Sequence, residues 1–278
     1  MKVIIAPKVT LVAKQVFLGH PDYEIPDDGN DAVKIGAFAA KCCYDSTGKN
    51  GRANETNQRQ ILEHLHGSVL EHITATLFIE GVTRALSLES NRHRQNAISQ
   101  RSTRYTEEDA SAIVLEPYYA DIWNRHQFIL HEEGMRKGDW TWNPKAESSL
   151  AALEQTLLNK FLHSARASVN EYKDQVSLLE QMNPLQLTGF DLRKWARGKA
   201  RNLLPHALET RITYTGNMRA WRWFIESRSS RHAEPEIRRL ADAVLTTLRN
   251  DFTLYFEDFT NAGDYDGLPE WIPLYHKI

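Results

Sequence analysis

Residues Ile73 to Tyr105 read ITATLFIEGVTRALSLESNRHRQNAISQRSTRY, and the change of rhythm inside this stretch sets the fold class. Ile73, Ala75, Leu77 and Ile79 alternate with Thr74, Thr76, Phe78 and Glu80, the two-residue period of a half-buried strand. From Val82 to Asn91 the spacing turns helical, so the run Arg92-His93-Arg94 leaves a helix end and enters a loop. Cations are favoured at a helix C-terminus, which accounts for Arg92. It does not account for Arg94, Ser102 and Arg104 close behind. Between Arg84 and Arg104 stand five arginines and one acid, Glu89, in a chain of net charge −2. Three adjacent cations repel one another unless an anion sits among them, and guanidinium donors fit phosphate oxygens in pairs.

The flanking sequence mixes the same two periods. Val9 to Ala13 alternates as an early strand. Asn30 or Asp31 can cap a helix reaching about Cys43, with Val33, Ala37, Ala40 and Tyr44 along one face. A second helix is expected from Asn54 to Gly67, burying Ile61 and Leu65. Helical spacing returns over 119–135 and 145–180, separated by the Trp-bearing stretch Lys137–Pro144, an interface or a surface insertion. Gln181 to Phe190 reads as a connector, Leu192–Leu204 as a helix and Thr210–Thr215 as a strand. Met218–Arg228 and Glu234–Phe256 read as helices. The tail from Thr260 carries no chemistry that can be read. Helix and strand without strict βαβ alternation indicate an α+β fold, and 278 residues suffice for one large domain or two small ones.

Composition narrows the function. A chain that is 41% hydrophobic and 25% charged, with slightly negative net charge, is not a general nucleic-acid binder. No apolar run approaches the ~20 residues that span a bilayer, and Met1–Pro7 is too short in its apolar part for a signal peptide. A cytoplasmic protein without membrane contact is expected. The two cysteines, Cys42 and Cys43, are adjacent; neighbours rarely reach disulfide geometry, so a reducing compartment and a packing role in the helix are expected. No Gly-x-Gly-x-x-Gly follows a strand, which argues against a Rossmann cofactor site. One rival reading is a metalloenzyme built on His64, His66 and His72 with Glu63 and Glu71. It is disfavoured because side chains two apart on a helix do not meet, and no metal site is assigned. The other is a single-strand nucleic-acid binder using the Arg-rich 193–239 segment with Trp195, Trp221 and Trp223. Glu209, Glu226, Glu234 and Glu236 dilute that patch, so solvated helix charges explain it better.

Arg92-His93-Arg94, seven residues, then Ser102 is similar to the signature of flavin-dependent thymidylate synthases. Four further blocks resemble the family in order and spacing: His66–His72, Ala200–Pro205, Thr215–Ala220, and Arg228 with His232–Ile237. Together they cover about 35–105 and 195–245. The resemblance implies one α+β domain over 1–278, with antiparallel strands, assembled as a homotetramer with sites at subunit interfaces. It implies FAD-dependent methylation of dUMP to dTMP, with 5,10-methylenetetrahydrofolate as carbon donor, NADPH as reductant and tetrahydrofolate as product. Carried over by motif, dUMP would meet Glu89, Arg92, Gln100, Arg101, Ser102, Thr103, Arg104, Arg201 and Arg228. FAD would meet Ser68, Glu71, Arg92, His93, Arg94, Gln100, Asn217, Arg219, Trp223 and His232.

Arg228 is the residue assigned to catalysis, because a fixed guanidinium stabilises negative charge developing on the uracil and makes C5 nucleophilic without a thiol. Its bland alternative is an ion pair with Glu226 or Glu236; His232 would follow on the same helix face. Gln100 could read a uracil edge with both donor and acceptor. Ser68 and Glu71 also fit a helix capping box. The chain departs from the family pattern at four places. Ser99 stands where many members have Asn and Ala97 where many have Ser. Arg101 replaces a smaller residue, and Trp223 falls where a His or Asn is usual.

Overall fold

The computed structural model describes residues 2–106, 112–126 and 149–276. In chain order the elements are β1 (Lys2–Ile4), β2 (Lys8–Lys14), α1 (Asp31–Cys43), α2 (Asn54–Glu63), α3 (Gly67–Leu70) and β3 (Thr74–Thr83). Then come α4 (Arg84–Ser90), β4 (Ala97–Gln100), β5 (Ala112–Val114), α5 (117–126), α6 (Ser149–Met182) and α7 (Gly189–Ala200). The chain closes with β6 (Glu209–Asn217), α8 (Met218–Arg228), α9 (Pro235–Asp251), β7 (Phe259–Tyr265) and β8 (Leu268–Pro273). The stretch Lys137–Pro144 lies outside the described residues.

The chain divides into two compact units built from interleaved segments. One comprises 7–80, 88–99 and 212–278. Its sheet has the order β2-β3-β6-β4, with β2 and β3 antiparallel in the register Val9↔Ile79. The alternation read from sequence holds: Ala75, Leu77 and Ile79 are buried, while their neighbours are half-buried. Lys8 and Lys14 lie at the ends of β2, an outer strand, and charge there deters pairing with other chains. Helix α9 packs on β2 and β8, and α8 packs on α9 and α3. Tyr214, Trp221 and Phe224 form a buried aromatic cluster with edge-on contacts. Arg222, 3% exposed, donates to both carboxylate oxygens of Asp258 and to the carbonyls of Tyr255 and Tyr275. The tail from Thr260 is part of the β7–β8 hairpin, turning at Asp266-Gly267, both with positive φ.

The other unit comprises 1–6, 81–87 and 100–211. Here α6 lies against α7, burying Ala165, Val169 and Tyr172 with Ala200, Leu204, Leu208 and Ile113. A second cluster joins Leu158 and Leu162 to Leu115, Ala120 and Ile122. Strands β1 and β5 pair in parallel, a local exception to the antiparallel pairing expected.

Several elements differ from the sequence reading, each for a local reason. Helix α1 starts at the expected cap, with Asn30 accepting from the Val33 amide at 3.1 Å. Tyr44 lies beyond its end and is 69% exposed rather than on the buried face. Cys42 and Cys43 are both exposed, so they do not pack as expected. Helix α2 stops at Glu63 because Leu65 takes φ +58, leaving that side chain exposed rather than buried. The turn brings the His64 and His66 rings to 5.9 Å, a contact that an unbroken helix would forbid. Thr83 caps the next helix through a 2.9 Å bond from the Leu86 amide, so α4 begins at Arg84 rather than Val82. At the far end α9 stops at Asp251 and yields to a 3-10 turn at Thr253–Tyr255.

Candidate active site

Two adjacent chain reversals in the first unit place the motif. The amides of Arg92 and His93 donate to the carbonyls of Glu89 and Ser90 at 3.0 and 3.1 Å, folding the Arg-His-Arg run tightly over the end of α4. Consecutive side chains then separate: Arg92 and Arg94 are exposed, whereas His93 is 5% exposed. The His93 ring meets the edge of Phe224 at 5.0 Å. Its Nε2 accepts a 2.7 Å hydrogen bond from Arg228 Nε, at the last residue of α8. Arg228 Nη1 stands 3.6 Å from Glu89 Oε2. Burial and the Arg228 charge push the His93 pKa down to about 4, so the middle residue of the motif is a neutral acceptor and not the third cation that its sequence suggested. Burial raises the Glu89 carboxyl, with Arg228 opposing and Glu234 adding to the rise. The carboxylate beside Arg228 is thus Glu89 and not Glu226 or Glu236, the partners weighed as its alternative to a catalytic role; Glu226 instead meets His276 Nδ1 at 2.8 Å.

The remaining candidates of this unit lie on or next to α3 and α8. Asn217 caps α8, accepting from the Ala220 amide at 2.8 Å. Just before it, Gly216 lies so close to the Asn96 carboxamide that any Cβ would collide with it. Arg219 pairs with Glu71 at 2.5 Å, and Trp223, one turn further, is 46% exposed. The capping box does not form: Ser68 is the second residue of α3 and gives only its carbonyl to the Glu71 amide. His232 is not on the face of α8, which ends at Arg228; it is exposed in the next turn and accepts from Arg231 Nε at 3.4 Å. Trp221, counted earlier among possible stacking residues, is fully buried and donates to the Ala75 carbonyl.

In the second unit Gln100 gives its amide donors to Ser87 Oγ and Thr210 Oγ1 at 3.0 and 3.1 Å. Only its carbonyl oxygen is left to read a ligand, so the two-way reading expected of it is halved. The Arg101 amide donates to the Arg211 carbonyl, which fixes the start of a tight turn. Within that turn the Ser102 hydroxyl accepts from the Arg104 amide at 3.3 Å, and Thr103 is buried. Arg104 and Arg201 line one cavity of about 470 Å³ with Asp191, Lys194, Trp195, Gly198 and Lys199. Four cations face one acid there. Lys194, Trp195 and Lys199 went unread as site residues, although 191, 194, 195 and 198 follow the helical spacing of one face. Lys194 also lies 5.3 Å from the centre of the Tyr105 ring.

Among the described residues no three His, Cys, Asp or Glu side chains converge where a metal ion could be held. Nor is any described helix long and apolar enough to cross a membrane. Taken by fold, the chain shares a mixed α+β architecture with solved structures. The crystal structure of the UMP/dUMP methylase PolB from Streptomyces cacaoi, bound with 5-Br dUMP, matches with a TM-score of 0.61 at 17% identity, over 92% of this chain and 96% of that one. The family model described as thymidylate synthase complementing protein matches residues 26–252. The flavin-dependent thymidylate synthase of Mycobacteroides abscessus is 36% identical over 276 residues, covering 96% of this chain and 95% of the relative. That of Mycobacterium avium is 36% identical over 267 residues, covering 95% and 94%. The chain belongs to this family of enzymes, the flavin-dependent thymidylate synthases.

Proposed function

We propose that the protein methylates dUMP reductively to dTMP, taking the carbon from 5,10-methylenetetrahydrofolate and the reducing equivalents from NADPH through FAD. The observation that carries the reading is the Arg228 guanidinium, held by His93 and Glu89 on one side. No partner among the described residues is found for its Nη2. A guanidinium fixed in this way can meet a uracil carbonyl and N3 as negative charge develops, which raises the nucleophilicity of C5. The cavity cations Arg104, Arg201, Lys194 and Lys199 suit a phosphate monoester.

FAD carries a pyrophosphate and two flat ring systems, and the donor set fits it. Arg92 and Arg94 are exposed and without side-chain partners among the described residues. Arg219 and the exposed indole of Trp223 stand one turn apart. When bound, the flavin supplies the hydride that completes the methyl group, while the protein orients and polarises. The two compact units would act as one domain, in a cytosolic homotetramer whose sites take residues from more than one subunit. Exposed reduced thiols at Cys42 and Cys43 suit that compartment.

Tritium release from C5-labelled dUMP tests the reading, with FAD-loaded protein, NADPH and methylenetetrahydrofolate. Release above background is expected, and its absence would remove the assignment. Arg228→Ala should lower turnover at saturating dUMP by roughly two to three orders of magnitude. Arg104→Ala or Arg201→Ala should mainly raise the dUMP concentration required, since a phosphate contact changes little between ground and transition states.

A further inference from the structure

We infer that His93 is a positioning residue for Arg228: its ring nitrogen fixes the guanidinium by accepting from Nε, so that the outer Nη edge is aimed at the substrate. The inference rests on the role proposed for Arg228 and adds one for His93 that differs from direct contact with the cofactor.

The seat of the ring is rigid. Ser90, 1% exposed, gives its carbonyl to two donors, the His93 amide at 3.1 Å and the Tyr214 hydroxyl at 3.2 Å. Phe224 closes the ring face from α8, the same helix that carries Arg228. A neutral imidazole has one donor and one acceptor nitrogen. Because Nε2 accepts from Arg228, the proton must sit on Nδ1. A protonated ring would lose its acceptor and face a guanidinium at hydrogen-bond distance, and the depressed pKa of about 4 keeps it neutral at working pH. Nε is the donor closest to the arginine stem, so a bond there sets the plane of the whole fork. Glu89 restrains Nη1 from a second direction. An arginine otherwise free to swing has been reduced to one orientation before substrate arrives, which is the condition for electrostatic stabilisation without reorganisation.

Three variants test this. His93→Leu removes the acceptor, His93→Gln retains a carbonyl oxygen that can accept from Nε, and His93→Leu/Arg228→Ala closes a double-mutant cycle. Misplacing a reacting group by an ångström costs about a hundredfold. His93→Leu should therefore lower kcat about a hundredfold, with a smaller change in the KM for dUMP and with flavin absorbance per subunit retained. His93→Gln should recover turnover to within about tenfold of the parent, as the acceptor is restored. The double variant should be no slower than Arg228→Ala alone, because both substitutions remove the same aimed donor. If His93→Leu does not fold, His93→Met takes its place in the cycle. Flavin loss in proportion to activity in both single variants would make His93 a cofactor contact and overturn the inference. So would additive losses in the double variant. An inactive parent protein would remove the proposed function itself, whereas an active parent with a crippled Arg228→Ala and an unaffected His93→Leu would remove only this inference.

Discussion

Lowering the pH should unfold this protein partly through a single ring. His93 has its pKa depressed from 6.5 to about 4, first by burial and then by the Arg228 charge. In the unfolded chain it reverts to the ordinary value. Above pH 6.5 the ring is neutral in both states and contributes nothing to pH dependence. As pH falls from 6.5 to about 4, the unfolded chain takes up a proton that the folded protein refuses, so folding stability declines. The full loss, reached below the folded pKa, is about 3 kcal/mol at 1.36 kcal/mol per pKa unit. His93 is 5% exposed, so solvent screens little of this. Against a total stability of about 5–15 kcal/mol the effect is large. Other carboxylates and histidines titrate in the same range, so the quantity to measure is the difference between the parent and His93→Gln in urea unfolding. That difference should shift against the parent by about 2 kcal/mol between about pH 7 and about pH 5. Glu89, whose carboxyl is raised by burial, complicates the more acidic end, whereas the Tyr214 phenol, also raised by burial, does not titrate in this window. A difference that stays constant with pH would mean that His93 titrates normally in the folded protein, and the neutral-acceptor argument would fail with it.

Removing Asp258 by substitution with Ala should cost about 3–5 kcal/mol, because it strands the buried Arg222 guanidinium. Arg222→Leu/Asp258→Ala should cost less than the sum of the single losses, and denaturation midpoints decide this. Cys42 and Cys43 should both react with an aromatic disulfide reagent in the folded protein, since both are exposed. Replacing both with Ser should change stability by no more than about 0.5 kcal/mol and leave most of the turnover. Loss of turnover in folded, flavin-loaded protein would instead point to a nucleophilic thiol.

Periodic elements were legible in sequence because burial imposes the period directly. Strand β3 and helices α1 and α8 fall close to their expected places, and α8 matches at both ends because Asn217 supplies a cap. The failures lie where backbone geometry overrides pattern. Leu65 has the right spacing for the buried face of α2, yet its positive φ ends the helix first. The exposed cysteines end an apolar-looking helix face, and nothing in their spacing distinguishes the last turn from the one before. The cluster of Arg92, Arg94, Ser102 and Arg104 was visible in the sequence as local charge density. The contact between His93 and Arg228 was not, because it joins residues 135 apart in sequence. Charge counting on a short motif treats three basic side chains as equivalent. In a tight turn they cannot be, since two alternate positions facing solvent leave the middle one facing the core. A buried middle residue must then be neutral or tightly paired, as an isolated buried cation is too costly. Histidine alone among the basic side chains can lose its charge at modest cost and still offer a lone pair. The Arg-His-Arg order is therefore better read as two outward cations around an inward acceptor, and the partner to seek is a donor elsewhere in the fold. Arg228 is that donor here.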